Sequence, residues 1–272
     1  MKMSAKSFAL IGCPLGHTKS PAIHHMLMEA AGIDGSYTAR EVADIGSAAF
    51  LASLDGYNVT IPHKTAIIPL LDELDERAAL FGAVNTVKNE NGRSIGYNTD
   101  CAGFLRALKG AEIPLGGRVL ILGSGGVSRM FAFESVLAGA EVTIAARNAA
   151  KALEIKKEIK EKTKKDCRII TLSTVGGAYD LIINGTPVGM FPNVKESPLP
   201  REVVAQAGAV FDAVYNPAET LLLRYAREAG VKHLNGLPML VWQAAVAQEI
   251  WNGVKFHDNA VGDIIEQLRI ES

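Results

Sequence analysis

Short apolar runs alternate with segments of helical period from one end of the chain to the other. That alternation predicts an α/β protein whose sheets are mostly parallel. In the first hundred residues the strand-like runs are Phe8 to Ile11, Tyr37 to Val42, Tyr57 to Ile61, Ala83 to Lys88 and Ser94 to Tyr97. The first is followed by a loop, Gly12 to Lys19, and then by a helix. Ser20 is suited to cap that helix, and Pro21 to take its first position, where a missing N–H costs nothing. A second helix is expected over Cys101 to Leu108, and Ile113-Pro114-Leu115-Gly116-Gly117 reads as a turn-rich linker. A new run, Arg118 to Leu122, then starts abruptly and ends in glycine. Later strands are expected at Glu141 to Ala145, Arg168 to Leu172, Tyr179 to Ile183 and Ala209 to Val214. Helical stretches separate them at Met130 to Leu137, Lys151 to Lys162 and Thr220 to Glu228. After Gly236 two more helical patterns follow, Met239 to Trp251 and Ala260 to Leu268. The Lys/Glu-rich piece from Lys151 to Lys165 reads as a solvated helix face.

Composition narrows the function more than the fold. With 272 residues, 48% hydrophobic and 21% charged, the chain can bury one large core or two smaller ones. Its 28 basic and 29 acidic residues give a net charge of -1, which offers nucleic acid or an anionic membrane no electrostatic footing. No apolar run approaches the length that crosses a bilayer, and Met1 to Ser7 leads into a strand-like segment rather than a signal-peptide core. Cys13, Cys101 and Cys167 are widely spaced and odd in number, so neither a disulfide framework nor a zinc motif is expected, and a reducing cytosol fits. Of the six histidines, His24 and His25 are helix neighbours facing apart, and His17 and His63 stand isolated in loops. No metal site is expected. Cys101 is read as a small half-buried residue, and Trp242 and Trp251 as core.

Strand, then Gly123-Ser124-Gly125-Gly126-Val127-Ser128, then helix is the setting that a dinucleotide site requires. Glycines let the backbone turn tightly beside a pyrophosphate, which the free N–H groups of the helix attract. Ser128 takes the place usually held by glycine or alanine, and is small enough for close helix–strand packing. A site selective for NAD carries an acid roughly 20 positions on, at the end of the second strand. Here Glu141 to Ala145 runs into Ala146-Arg147-Asn148, with Lys151 following and no carboxylate among them. A guanidinium and an ammonium suit a 2′-phosphate, with Asn148 as a neutral donor. NADP is therefore the expected cofactor.

Four polar motifs crowd the first hundred residues: His17 to Pro21, Asn58 to Lys64, Gly82 to Thr86 and Gly96 to Asp100. Each falls at a strand-to-loop boundary, where parallel α/β sheets bind ligands. Hydroxyls and amides suit a small polyhydroxylated acid, while Lys64 and Asp100 can manage a proton.

Together Lys19-Ser20-Pro21, Asn58 to Lys64, Gly82 to Thr86, Asn98-Thr99-Asp100, Gly123 to Arg129 and Gly236 to Gln243 resemble the shikimate dehydrogenase family in order and spacing. The resemblance covers essentially the whole chain. It implies NADP-dependent reduction of 3-dehydroshikimate to shikimate, with Lys64 and Asp100 as the catalytic pair. It further implies that Thr18 and Ser20 hold the substrate carboxylate, with Tyr215 near it, and that Asn58, Thr60, Asn85 and Gln243 meet the ring hydroxyls. By the same resemblance Gly123 to Val127 form the pyrophosphate turn and Arg147 and Lys151 the adenosine-phosphate clamp. Thr186, Ala213 and Gly236 fall toward the nicotinamide half.

The chain departs from the family in three places. Thr18 stands where a serine is common, Ala146-Arg147-Asn148 where Asn-Arg-Thr is usual, and Ala213 where a methionine is often found. Thr18 keeps a quinate or aminoshikimate dehydrogenase open as an alternative, and a non-catalytic NADP-binding regulatory protein is a third reading, against which both Lys64 and Asp100 speak. The motif map implies an N-terminal α/β substrate domain (1–103, completed by 236–272) with an inserted Rossmann-like domain (104–235), and a site in the cleft between them. The expected partner is a small-molecule substrate, with neither nucleic acid nor membrane, and a monomer and a homodimer both remain open.

Overall fold

A computed structural model describes residues 5–16 and 18–270, so His17 lies outside the described residues. The chain divides into two compact units: one comprises the residues up to Phe104 and those from Leu240 on, the other Leu105–Met239.

The first unit opens with β1 (Lys6–Gly12), α1 (Ser20–Ala30), β2 (Gly35–Glu41) and β3 (Gly56–Val59). A short helix α2 (His63–Ala66), β4 (Glu73–Leu74) and α3 (Glu76–Phe81) follow, then β5 (Thr86–Glu90), β6 (Arg93–Tyr97) and α4 (Thr99–Gly110). Its sheet has the order β2-β1-β3-β5-β6-β4. The β2-β1-β3 part and the β4–β6 pair are parallel, while β5 runs antiparallel to both β3 and β6. The antiparallel part comes from a tight hairpin: Asn91 and Gly92, both at positive φ (54° and 74°), join β5 to β6. Asn-Gly is the pair that such two-residue turns prefer.

Two core clusters cover the two faces of this sheet. One gathers Ala9, Ile11, Tyr57, Val59, Val84 and Val87 with Ile67 and Ala78. The other joins Phe8, Leu10, Met28 and Tyr37 to Ala247 and Trp251 of the C-terminal helix α9 (Leu237–Asn252). Phe8 stacks on Trp251 at 4.7 Å, and the Trp251 indole N–H donates to Val87 O at 2.8 Å. Gly56 is required beneath that indole, since a Cβ there would stand 2.3 Å from Nε1. The last helix, α10 (Asp258–Ile270), buries Val261, Ile264, Ile265 and Leu268.

The second unit contains β7 (Arg118–Leu122), α5 (Gly126–Leu137), β8 (Glu141–Ala145), α6 (Ala149–Thr163) and β9 (Arg168–Ile170). β10 (Leu181–Asn184), α7 (Arg201–Val204), β11 (Ala209–Asp212), α8 (Leu221–Glu228) and β12 (Lys232–Leu234) complete it. All six strands are parallel, in the order β12-β11-β10-β7-β8-β9. Counting within the unit, this is the doubly wound 3-2-1-4-5-6 arrangement of dinucleotide-binding sheets. The central strands are buried on both faces, which is why Val119 to Leu122 and Leu181 to Ile183 read as continuous apolar runs.

Two expectations need correction. Ser20 is the first helical residue of α1 rather than its cap. Lys19, already in the αR region, takes the cap position without a side-chain bond. β3 stops at Val59, because Thr60 turns the chain toward Pro62 and Ile61 emerges 73% exposed. No helix among the described residues is long and apolar enough to cross a membrane.

Candidate functional site

Ligands of doubly wound sheets bind at the carboxyl ends of strands where the winding reverses. In the first unit that point lies between β1 and β3. The loop after β1 carries Thr18 and leads to Ser20, and the turn after β3 carries Thr60 and Lys64. Thr18 Oγ1 donates to Ser20 Oγ at 3.2 Å and accepts from the Ser20 N–H at 3.2 Å, so the two hydroxyls are already side by side at the start of α1. A helix N-terminus favours an anion. Gly12 permits this corner: a Cβ there would meet Thr60 Cγ2 at 2.4 Å and Leu15 Cδ2 at 2.7 Å.

Lys64 and Asp100 form an ion pair, Nζ to Oδ2 at 2.5 Å, with both side chains partly exposed. Asn85 donates from Nδ2 to the other carboxylate oxygen, Oδ1, at 2.9 Å. The Asn85 Oδ1 in turn accepts from the Thr99 N–H at 2.7 Å. A backbone N–H can only donate, so the amide is held one way round, protons toward Asp100.

Asn58 is held by three neighbours. Its two amide protons go to Asn85 O at 3.1 Å and Thr86 Oγ1 at 2.9 Å, and its oxygen accepts from the Tyr37 hydroxyl at 2.7 Å. Both amide protons are committed inside the sheet, and Oδ1 keeps one lone pair with which to accept from a ring hydroxyl. Beside it, His24 stacks on Tyr37 at 3.8 Å and receives Gln248 Nε2 on Nδ1 at 2.9 Å. Burial pushes the His24 imidazole down to about 3, so it is neutral at ordinary pH, and lifts the Tyr37 phenol well above its usual value. Gln243 is buried in α9, with Nε2 donating to Leu240 O at 2.9 Å.

In the second unit the winding reverses between β7 and β10. Gly123 leaves β7 at φ +102°, where a Cβ would press to 2.8 Å on both Ser128 Oγ and Thr186 Cγ2. Ser128 fills the crossing, its hydroxyl 3.2 Å from Gly185 O. On the other side of the turn, beyond Ser124, a Cβ on Gly125 or Gly126 would have nothing within 4 Å. α5 begins there without a side-chain cap, and Val127 lies in its first turn. This turn therefore has the open, N–H-lined form that fits a pyrophosphate. At the end of β8, Arg147, Asn148 and Lys151 are exposed, and neither cation has an ion-pair partner among the described residues. Asn148 caps α6, its Oδ1 accepting from the Lys151 N–H at 3.1 Å. Both positive side chains thus flank a helix N-terminus, as a phosphate requires, and NADP fits the residues present.

Thr186 folds back on Asn184, its hydroxyl donating to Oδ1 at 2.7 Å. A Cβ on Gly236 would stand 2.1 Å from Ala213 O, so only glycine lets the two loops touch. Tyr215 follows β11 half-buried, and burial raises its phenol. Beneath them lies Asp212, fully buried, accepting from Asn184 Nδ2, the Val214 N–H and the Thr220 hydroxyl. Sequence reading passed over it. Burial lifts its carboxyl from 3.8 to about 6, although all three donors oppose the shift. The folded state then binds the extra proton between about pH 4 and 6, and this group's contribution to stability falls as pH rises through that window. The cost above it is on the order of 3 kcal/mol. Asp212→Asn should flatten this slope in pH-dependent thermal unfolding; a variant with the wild-type slope would remove Asp212 as its source.

Among the described residues no group of three His, Cys, Asp or Glu side chains could hold a metal ion. Cys101 is buried and bonded through Sγ to Asn98 O at 3.1 Å.

Comparisons with known proteins identify the family. A family model described as the shikimate dehydrogenase substrate binding domain matches residues 10–87. The shikimate dehydrogenase (NADP(+)) of Caldanaerobacter subterraneus subsp. tengcongensis is 41% identical over 267 residues, 95% of each chain. The crystal structure of a chorismate mutase/shikimate 5-dehydrogenase fusion protein from Clostridium acetobutylicum is similar with a TM-score of 0.89 and 37% identity, covering 99% of both chains. Shikimate 5-dehydrogenase from Thermus thermophilus, crystallised with NADP(H) and shikimate, gives a TM-score of 0.86 and 36% identity over 96% of this chain and 99% of that one.

Proposed function

Because the chain belongs to the shikimate dehydrogenase family, we propose that it interconverts shikimate and 3-dehydroshikimate with NADP as the redox partner. The observation that carries this reading is the Lys64–Asp100 pair, 2.5 Å apart beside a switch point lined by hydroxyls and amides. When bound, the nicotinamide supplies the hydride acceptor for oxidation or the donor for reduction. The protein's own residues handle the proton and the positions. As an ammonium, Lys64 gives its proton to the substrate oxygen during reduction and recovers one in the reverse direction. Asp100 accepts from the same hydroxyl and holds Lys64 toward it.

Thr18 and Ser20 bind the carboxylate at the start of α1, with Tyr215 near it. Thr60, Gln243 and the remaining lone pair of Asn58 Oδ1 meet the ring hydroxyls, while Asn85, its protons and oxygen already taken, holds Asp100 toward them. Residues 1–103 with 236–272 form the substrate domain and residues 104–235 the NADP domain. Within the latter, the turn Gly123 to Val127 holds the pyrophosphate, Arg147, Asn148 and Lys151 hold the adenosine end, and Thr186, Ala213 and Gly236 approach the nicotinamide. The free thiols of Cys13, Cys101 and Cys167 support a reducing compartment, the cytoplasm.

The test is a matrix of shikimate and quinate, each with NADP+ and NAD+, followed by absorbance of the reduced cofactor. Shikimate with NADP+ should give the highest kcat/KM. Faster turnover of quinate would move the assignment to the quinate branch, and no turnover in any cell would overturn it.

A further inference from the structure

We infer that the hydroxyls of Thr86 and Thr99 are positioning residues that hold the Asn85 amide in place, in the sense that the Thr99 N–H dictates, and through it leave one oxygen of Asp100 free for Lys64. The inference rests on Lys64 and Asp100 being the proton-transfer pair proposed above. Both threonines lie within motifs of strand-to-loop type, yet neither is needed to hold ligand: Thr86 is 0% exposed and Thr99 1%.

The donors and acceptors can be counted. Asn58 Nδ2 spends one proton on Asn85 O and the other on Thr86 Oγ1. Asn85 Nδ2 spends one on Asp100 Oδ1 and the other on Thr99 Oγ1, at 3.1 Å. Each hydroxyl therefore already accepts from an amide and has one proton of its own to place. The two hydroxyl oxygens are 3.1 Å apart, and they lie 3.1 Å (Thr86) and 3.2 Å (Thr99) from Asn85 Oδ1. One hydroxyl donates to the other, which donates to Asn85 Oδ1, and every proton finds an acceptor.

The Thr99 N–H and the Asp100 carboxylate admit only one sense of the Asn85 amide, and the two hydroxyls hold it there by taking its second proton and its oxygen's second lone pair. Reversing it would set its NH2 against the Thr99 N–H and its oxygen against the carboxylate of Asp100. In so dry a setting an unmatched donor or acceptor is costly. The ring thus delivers a donor to Asp100 Oδ1 and leaves Oδ2 as the only carboxylate oxygen facing Lys64. Tyr37, donating to Asn58 Oδ1, closes the far end of the chain.

Thr86→Val and Thr99→Val preserve shape and remove the hydroxyl, while the corresponding serine variants keep it. Each valine variant should lower kcat for shikimate oxidation by roughly tenfold, the worth of one buried hydrogen bond. KM for shikimate should change little, and the midpoint of the kcat–pH profile should move. Each serine variant should restore both kcat and the profile. Because two independent positions carry the same expectation, failure of one variant to fold leaves the other to decide. Wild-type kcat and pH profile in the folded valine variants would overturn the inference, as would equal losses in valine and serine variants tracking a fall in Tm. Lys64→Ala, run alongside, separates the two levels. If it turns over normally the catalytic assignment itself is wrong. If it is crippled while the valine variants are not, only the positioning role falls.

Discussion

Lys64→Ala is expected to lower kcat by roughly 10²–10⁴-fold while leaving shikimate binding comparatively intact, since that is the usual worth of general acid–base assistance. Lys64 enters the short helix α2 directly after the turn from β3, so its backbone is fixed by the sheet while its ammonium reaches Asp100. Removing the side chain would delete the proposed proton donor without disturbing the hydroxyls of Thr18 and Ser20. A role in binding alone would show instead as a raised KM at unchanged kcat. Asp100→Asn should harm both parameters. An amide facing Lys64 can neither attract the ammonium nor accept from Asn85 and substrate as a carboxylate does. Since the two side chains act as one unit, the double variant should cost much less than the product of the single losses. Steady-state kinetics of the three proteins decide the matter, and a folded Lys64→Ala enzyme with near-normal kcat would take Lys64 out of the mechanism.

Removal of both Arg147 and Lys151 should collapse the preference for NADP+ over NAD+. Both are exposed and without ion-pair partners among the described residues, so their replacement leaves no charge stranded in the fold. A charged hydrogen bond to phosphate is worth roughly 1.5–3 kcal/mol, about ten- to a hundredfold in affinity. KM for NADP+ should therefore rise by at least that much, with KM for NAD+ nearly unchanged, because the unphosphorylated ribose has nothing for either cation to hold. An equal loss with the two cofactors would mean that these residues support the fold around α6 rather than read the phosphate. Asn148 is better left in place, since its side chain caps that helix.

The sequence was most legible where burial is complete. β7 and β8 have the bounds expected of them because apolar runs flanked by glycine or charge admit no other reading. The hairpin was legible too, in Asn91-Gly92, but the eye follows parallel α/β alternation and reads β5 and β6 as two more strands of the same kind. α3 was missed because six residues are too few for a period, although Asp75 caps it and Gly82 ends it at φ 58°. In the site, residue types told which side chains could touch a polyhydroxylated acid. They did not tell which of them would be spent on one another. Asn58 looks like a ligand contact in any linear reading, and only the packing of Tyr37, Asn85 and Thr86 around it shows its amide protons already taken. Asp212 was hidden for a similar reason, since an acid closing a buried strand resembles a turn residue until its three donors are seen.

The first unit is assembled from two stretches of chain separated by the whole of the second. Lys6 Nζ reaches Asn252 Oδ1 at 2.8 Å, and Trp251 stacks on the face of Phe8. Contacts of such sequence separation are slow to form and cannot form at all before their second half exists. On the ribosome, the inserted unit has its complete sequence while the first still lacks α9 and α10. The nascent strands β1 to β3 then wait with one apolar face uncovered, a state prone to wrong association. Maturation of this chain is thus ordered by its threading: the inserted unit can close early, and the unit carrying Lys64 and Asp100 is finished last.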